Sequence, residues 1–191
     1  MALKHTPSQT VGPYFAMCLS GPGQNVLVPP TESNRIRVVG RVYDADRKPV
    51  DDALVELWQA NRHGRYRHPA DTREPLELVA GFSGFGRATI DPATLEYSFD
   101  TVKPGRVPAP DGAMQAPHLS LVVQARGMLC PSWTRLYFDD EAAANAEDFV
   151  LLRVPAGRRH LLVARREAGV PPTYRFDMRF QGADETVFFE F

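Results

Sequence analysis

Apolar and polar residues alternate along most of the chain, and alternation is the period of a strand that buries one face. "RIRVVGRVYD" sets Ile36 and Val38 against Arg37 and Arg41. "DADRKPVDDA" reads as a turn and "ALVELWQA" as the next strand. "ATIDPATLEYSFDTV" reads as two short strands around Asp91 and Pro92. "HLSLVVQARG" places Leu119, Leu121 and Val123 on one face, so His118 and Ser120 share the other. "WTRLYF" starts a further strand after a break at Pro131. "YRFDMRF" sends Tyr174, Phe176, Met178 and Phe180 one way and Arg175, Asp177 and Arg179 the other, and "TVFFEF" closes with another strand pattern.

Helical signals are few. "DDEAAANAED" offers an aspartate cap, acidic residues in its first turn and a run of alanines. "RRHLLVARRE" reads as a short turn leading into a strand, and the glycine-rich "GFSGFGR" as a structural loop with close backbone approach. Residues 1–34, rich in Gly, Pro and polar side chains, read as an arm that docks on a partner through an aromatic pair, Tyr14 and Phe15. Residues 35–191 read as the folded body. The expected class is all-β, a β-sandwich with an N-terminal arm and a few short helices.

Composition narrows the function. The chain has 191 residues, 43% hydrophobic and 24% charged, with net charge −1, enough for one domain plus an arm. Near-neutral charge gives no footprint for nucleic acid or an anionic membrane. No apolar run reaches the roughly 18 residues of a membrane span, and "MALKHTPSQT" lacks the apolar centre of a signal peptide. Cys18 and Cys130 lie far apart without metal-type spacing, so a cytoplasmic protein with free thiols is expected.

No phosphate loop, nucleophile elbow or C-x-x-C occurs. His118 opens a buried-looking strand, where a satisfied structural histidine is the default reading. Tyr66 sits among Arg62, Arg65, Arg67, His63 and His68. Such positive charge favours a tyrosinate or an acidic partner, although a solvated loop accounts for it as well.

Longer segments carry more information. "LVELWQANRHGRYRH", "VKPG", "APHLSL" and "RLYFDDEAAANA", in that order, closely resemble the intradiol ring-cleaving dioxygenases. "TPSQTVGPYF" and "YRFDMRFQGADETVFFEF" extend the resemblance over nearly the whole chain. The resemblance implies a β-sandwich and a non-haem ferric iron held by two tyrosines and two histidines. It also implies O2-dependent cleavage of a catechol between its hydroxylated carbons. By this resemblance the iron ligands fall at Tyr66, Val107, His118 and Ser120, and an arginine is expected at Gln115. Only Tyr66 and His118 retain the family's residue. Ferric iron is a hard cation that wants anionic oxygen and imidazole donors. Valine donates nothing and neutral serine little, so these positions read as a vestigial site with no metal and no catalytic residue of its own.

That pattern is similar to the alpha-type chains of two-chain members, whose homologous beta chain carries Fe(III). The implied partner is therefore a beta chain in a hetero-oligomer of alpha–beta units. The implied reaction is the cleavage of protocatechuate with O2 to 3-carboxy-cis,cis-muconate. The resemblance places Thr10, Gly12, Pro13, Tyr14 and Arg126 on the partner's substrate pocket, and an arginine suits a carboxylated substrate. Three other readings stand beside this one. They are a self-sufficient metalloenzyme recruiting His68 or His160, a β-sandwich that binds an aromatic ligand, and a scaffold without a pocket role.

Overall fold

The computed structural model describes residues 6–10, 12, 14–109 and 111–190, with only the backbone of Tyr14, Ala16 and Met17. Pro13 lies outside the described residues, as does the side chain of Tyr14. A short helix, α1 (Tyr14–Leu19), leads into a loop and then β1 (Arg35–Gly40) and β2 (Val42–Tyr43). The strands β3 (Leu54–Trp58), β4 (Phe85–Thr89), β5 (Tyr97–Val102), β6 (Val107–Pro108), β7 (Met114–Gln115), β8 (His118–Gln124) and β9 (Ser132–Phe138) follow. After β9 come α2 (Ala142–Glu147), α3 (Phe149–Arg153), β10 (Val163–Glu167), β11 (Thr173–Arg175) and β12 (Met178–Arg179).

Eight strands form one sheet in the order β4-β3-β8-β9-β10-β11-β1-β5, which folds over on itself into a sandwich. The strand β10 joins the halves: Val163 and Ala164 pair with β9, while Arg165 to Glu167 pair with β11. The core lies between them, where Val38, Val55, Leu57, Phe99, Leu119, Leu121 and Leu136 are buried. Leu119, Leu121 and Val123 are fully enclosed, so the alternation in β8 is realised as expected.

Four local expectations change. The segment assigned to the arm joins the body before residue 34: Leu27 and Val28 are buried, and the Leu27 N–H donates to Asp100 O at 2.8 Å. Gly86 leaves room for this, because a Cβ there would meet Leu27 Cδ1 at 2.6 Å. The run 174–180 is not one continuous strand. Tyr174, Phe176 and Met178 are buried as read, but Asp177 Oδ1 accepts from Arg41 N at 3.0 Å, and the ladder passes from β1 to β2. Among the described residues "TVFFEF" makes a single bridge, Phe189 with Trp133, because β10 already covers β9 at Tyr137 and Phe138. Finally, no aspartate caps α2, which follows a 3-10 turn over Asp139–Glu141. The capping aspartate is Asp148, at the start of the unanticipated α3, where its carboxylate accepts from Val150 N and Leu151 N.

Candidate functional site

The outer face of β8 carries the histidine and serine. In cross-strand register, Phe85, Trp58, Ser120 and Arg135 form one row across β4, β3, β8 and β9. Arg87, Glu56, Val122 and Trp133 form the adjacent row. His118 pairs with Tyr137 one step beyond Ser120. Partners in register share a face, so these rows build one surface outside the core.

Two loops meet beside it. Asn61 is buried and organises the first: its backbone O accepts from Gly64 N and Gly105 N, both at 2.9 Å, and its Oδ1 accepts from His63 N and Arg65 N. Gln59, also buried, donates to Val102 O at 2.9 Å and accepts from Thr101 Oγ1 at 2.6 Å. The loops touch backbone to backbone. A Cβ on Gly105 would meet Gly64 N at 2.6 Å, and Gly64 has φ +79°, a region where side chains are strained. Gly64 lies two residues before Tyr66 and Gly105 two before Val107, so the glycine contact brings these two positions together.

All five positions singled out for iron by the resemblance converge. Val107 pairs with Gln115 in the β6–β7 hairpin. Gln115 Oε1 accepts from Arg135 Nη1 at 2.8 Å, and Arg135 stands opposite Ser120. Trp58, the other neighbour of Ser120, stacks on Tyr66 with ring centroids 5.7 Å apart. The arginine expected at residue 115 is therefore absent there, and a guanidinium enters from β9 instead.

The electrostatics disfavour a cation. Burial pushes the His118 imidazole down to about 4, with Arg135 adding to the effect, against the contact with Ala116 O and the field of Asp148. His118 Nδ1 lies 2.8 Å from Ala116 O, which can only accept, so Nδ1 carries the proton of a neutral ring. Burial raises the Tyr66 phenol; Arg135 and Arg73 pull the other way and do not prevail. Burial thus keeps the phenol protonated, and Arg65 and Arg67 donate to Leu76 O and Phe82 O. Arg73 is held by Asp71, whose carboxyl the Arg73 guanidinium keeps down at about 2. One imidazole and one phenol beside a guanidinium, with valine and serine at the other two positions, are too few donors to fit ferric iron. His68 and His160 do not complete the set. The His68 ring packs edge-on against Trp58, its Nδ1 accepts from Ala70 N, and His160 sits in a separate 3-10 turn. Among the described residues, no group of three His, Cys, Asp or Glu side chains is arranged to hold a metal ion.

The face opens into a groove of about 1090 Å³ lined by Trp58, Phe85, Ser120, Val122, Trp133 and Arg135, among others. Arg126 lies elsewhere, six residues along the chain from Ser120, with its Nε 3.2 Å from Asp52 and its side chain 71% exposed. Thr10 is exposed and Gly12 half-buried.

Comparison with known proteins gives this geometry a lineage. A family model described as "Dioxygenase" matches residues 12–182. The protocatechuate 3,4-dioxygenase alpha chain of Burkholderia cepacia is 45% identical over 98% of both chains. The chain belongs to the intradiol dioxygenase family. The beta chain from the same organism is 35% identical, covering 80% of this chain and 66% of its own length. Among solved structures, a dioxygenase domain from a Streptomyces dioxygenase–carbohydrate-binding fusion protein shares the fold, with TM-score 0.59 and 24% identity over 93% of this chain and 100% of that one. Sequence reading missed three residues of this intradiol-type site. Gln59 and Asn61 stand inside the quoted signature but look like ordinary polar strand-end residues. Arg135 gives no signal until register places it beside Ser120.

Proposed function

We propose that the chain is the alpha, non-iron-binding subunit of a protocatechuate 3,4-dioxygenase. In this reading it supports O2-dependent ring cleavage at the Fe(III) site of a homologous beta chain, and alone it is inactive. The observation that carries the reading is the replacement of two ligand positions by Val107 and Ser120, with Arg135 seated against Gln115 beside them. Likeness to an alpha chain over almost the whole length supports it. The exposed thiols of Cys18 and Cys130 suit a reducing cytoplasm.

The chain contributes to its partner's site through Thr10, Gly12, Pro13, Tyr14 and Arg126. Asp52 occupies only part of the Arg126 fork, and a guanidinium has five N–H donors, so the same side chain has donors to offer a substrate carboxylate. The test is Arg126→Ala in the co-expressed alpha–beta complex. A charge-assisted contact contributes about 1.5–3 kcal/mol, so KM for protocatechuate should rise by roughly tenfold or more with a smaller change in kcat. Unchanged KM and kcat would remove Arg126 from the substrate pocket.

A further inference from the structure

We infer that a polar pocket on the outer face of β10 and β11 binds a tetrahedral oxyanion, as phosphate or as the head of a phosphate ester. The strands set one wall. Ala164 and Tyr174 are buried in the core, so Arg165 and Arg175 point outward, and they are direct partners in register. Like charges placed opposite each other repel. Arg175 is compensated: Glu167 lies at 2.7 Å, Glu96 at 2.9 Å and Asp177 at 3.8 Å. Arg165 pairs with no carboxylate and makes no side-chain hydrogen bond among the described residues. Another wall is the chain from β12 onward, and together they enclose about 380 Å³. There the Arg179 N–H donates to Thr186 Oγ1 at 2.9 Å, and Thr186 N donates to Arg179 O at 3.0 Å.

Two donors on that second wall are unspent. The Arg179 guanidinium lies over the Tyr43 ring, 5.5 Å from its centroid. Its Nε is buried without a hydrogen-bond partner, and it has no carboxylate partner among the described residues. Buried donors in that state are rare in folded proteins. Thr186 is buried, and its hydroxyl, already an acceptor, donates to no group among the described residues. The other ionisable groups of the lining are His160, Asp177 and Asp184. Asp177 Oδ1 accepts from Arg41 N, and Asp184 lies 3.6 Å from Arg47. Arg41 also approaches Glu96, at 3.5 Å. Five guanidiniums, of Arg41, Arg47, Arg165, Arg175 and Arg179, therefore meet four carboxylates, of Glu96, Glu167, Asp177 and Asp184. Just outside, Arg158, bound to the main-chain O of Glu185, adds one residue of each sign. The excess is positive before the exposed His160 is counted. One guanidinium fork satisfies a planar carboxylate. A tetrahedral ion has oxygens for Arg165, Arg179 and the Thr186 hydroxyl, which stand on separate strands and loops. The inference does not depend on the alpha-subunit reading.

Equilibrium dialysis of the co-expressed complex against radiolabelled inorganic phosphate, at constant ionic strength in chloride, provides the test. The wild type should hold one more phosphate per alpha–beta pair than Arg179→Gln. Arg165→Gln, at an exposed position where the fold tolerates the change, should weaken that site roughly tenfold. Sulfate should compete, and acetate at the same concentration should not. Competition by glycerol 3-phosphate as strong as by phosphate would support the head of an ester as occupant, and competition by phosphate and sulfate alone the free ion. Equal counts and affinities in the wild type and both variants would overturn the inference, including the case in which a partner's segment fills the pocket. Acetate competing as well as sulfate would overturn the choice of a tetrahedral ion. If a complex with equal counts still cleaves protocatechuate normally, the alpha-subunit reading survives that result.

Discussion

Asp148→Ala should destabilise the protein severely, although Asp148 touches no proposed ligand. The side chain is fully buried. Its Oδ1 accepts from Val150 N at 2.9 Å, Leu151 N at 2.8 Å and Tyr137 Oη at 3.1 Å, and its Oδ2 accepts from Ala116 N at 2.8 Å. One carboxylate thus caps α3 and ties it to the entry of β8, two residues before His118. Loss of the cap costs about 1 kcal/mol. Leaving the buried Ala116 N–H and the Tyr137 hydroxyl without this acceptor costs about 1–3 kcal/mol each. A total near 4 kcal/mol lowers the midpoint of a chain this size by roughly 8–16 °C. Thermal unfolding of the alpha–beta complex followed by circular dichroism measures it, with Asp148→Asn, which keeps one acceptor oxygen, falling in between. A drop under about 3 °C, the size of an ordinary surface change of about 1 kcal/mol, would refute the reasoning.

Three further outcomes follow from the same geometry. Folding lowers the His118 imidazole from 6.5 to about 4, so within that window the unfolded chain binds more protons and stability falls as pH drops. The full loss is about 3 kcal/mol, read as a steeper decline of urea stability between pH 6.5 and 4 than in His118→Gln; equal slopes would contradict it. Gly105→Ala should cost about 2 kcal/mol and disturb the stack of Tyr66 on Trp58, because its Cβ would press on Gly64 N at 2.6 Å and Arg62 O at 2.7 Å. Calorimetry and tryptophan emission check this, and a neutral substitution would mean that the two loops do not depend on their close approach. Ser120→His alone should not confer stoichiometric iron, since Val107 still lacks an anionic oxygen and Arg135 remains; a red, iron-loaded protein would show otherwise.

Much of the fold was legible because half-buried strands write their period into the chain. β3, β5, β8 and β9 lie where alternation placed them. The chain between 174 and 180 was less legible, because its pattern reports burial and not which neighbour supplies the ladder. Phe176 is buried whether β1 or β2 lies beside it. Leu27 and Val28 were hidden by their Gly- and Pro-rich surroundings, and only the long-range pairing with Asp100 draws them in. At the site, the missing donors at Val107 and Ser120 could be seen against the family motif. The guanidinium of Arg135 could not, because its place depends on pairing between β8 and β9. The protonation of Tyr66 was left open for a similar reason: charge can be counted along the sequence, but not that the ring is buried and that Arg65 and Arg67 point at main-chain carbonyls.

The central claim is that this chain lends structure to an iron site that it does not itself hold. Counting iron in the purified alpha–beta complex, and in this chain expressed alone, tests it most directly. The account predicts one iron per alpha–beta pair and none in the isolated chain. Two irons per pair, or stoichiometric iron with a tyrosinate colour in the isolated chain, would contradict it.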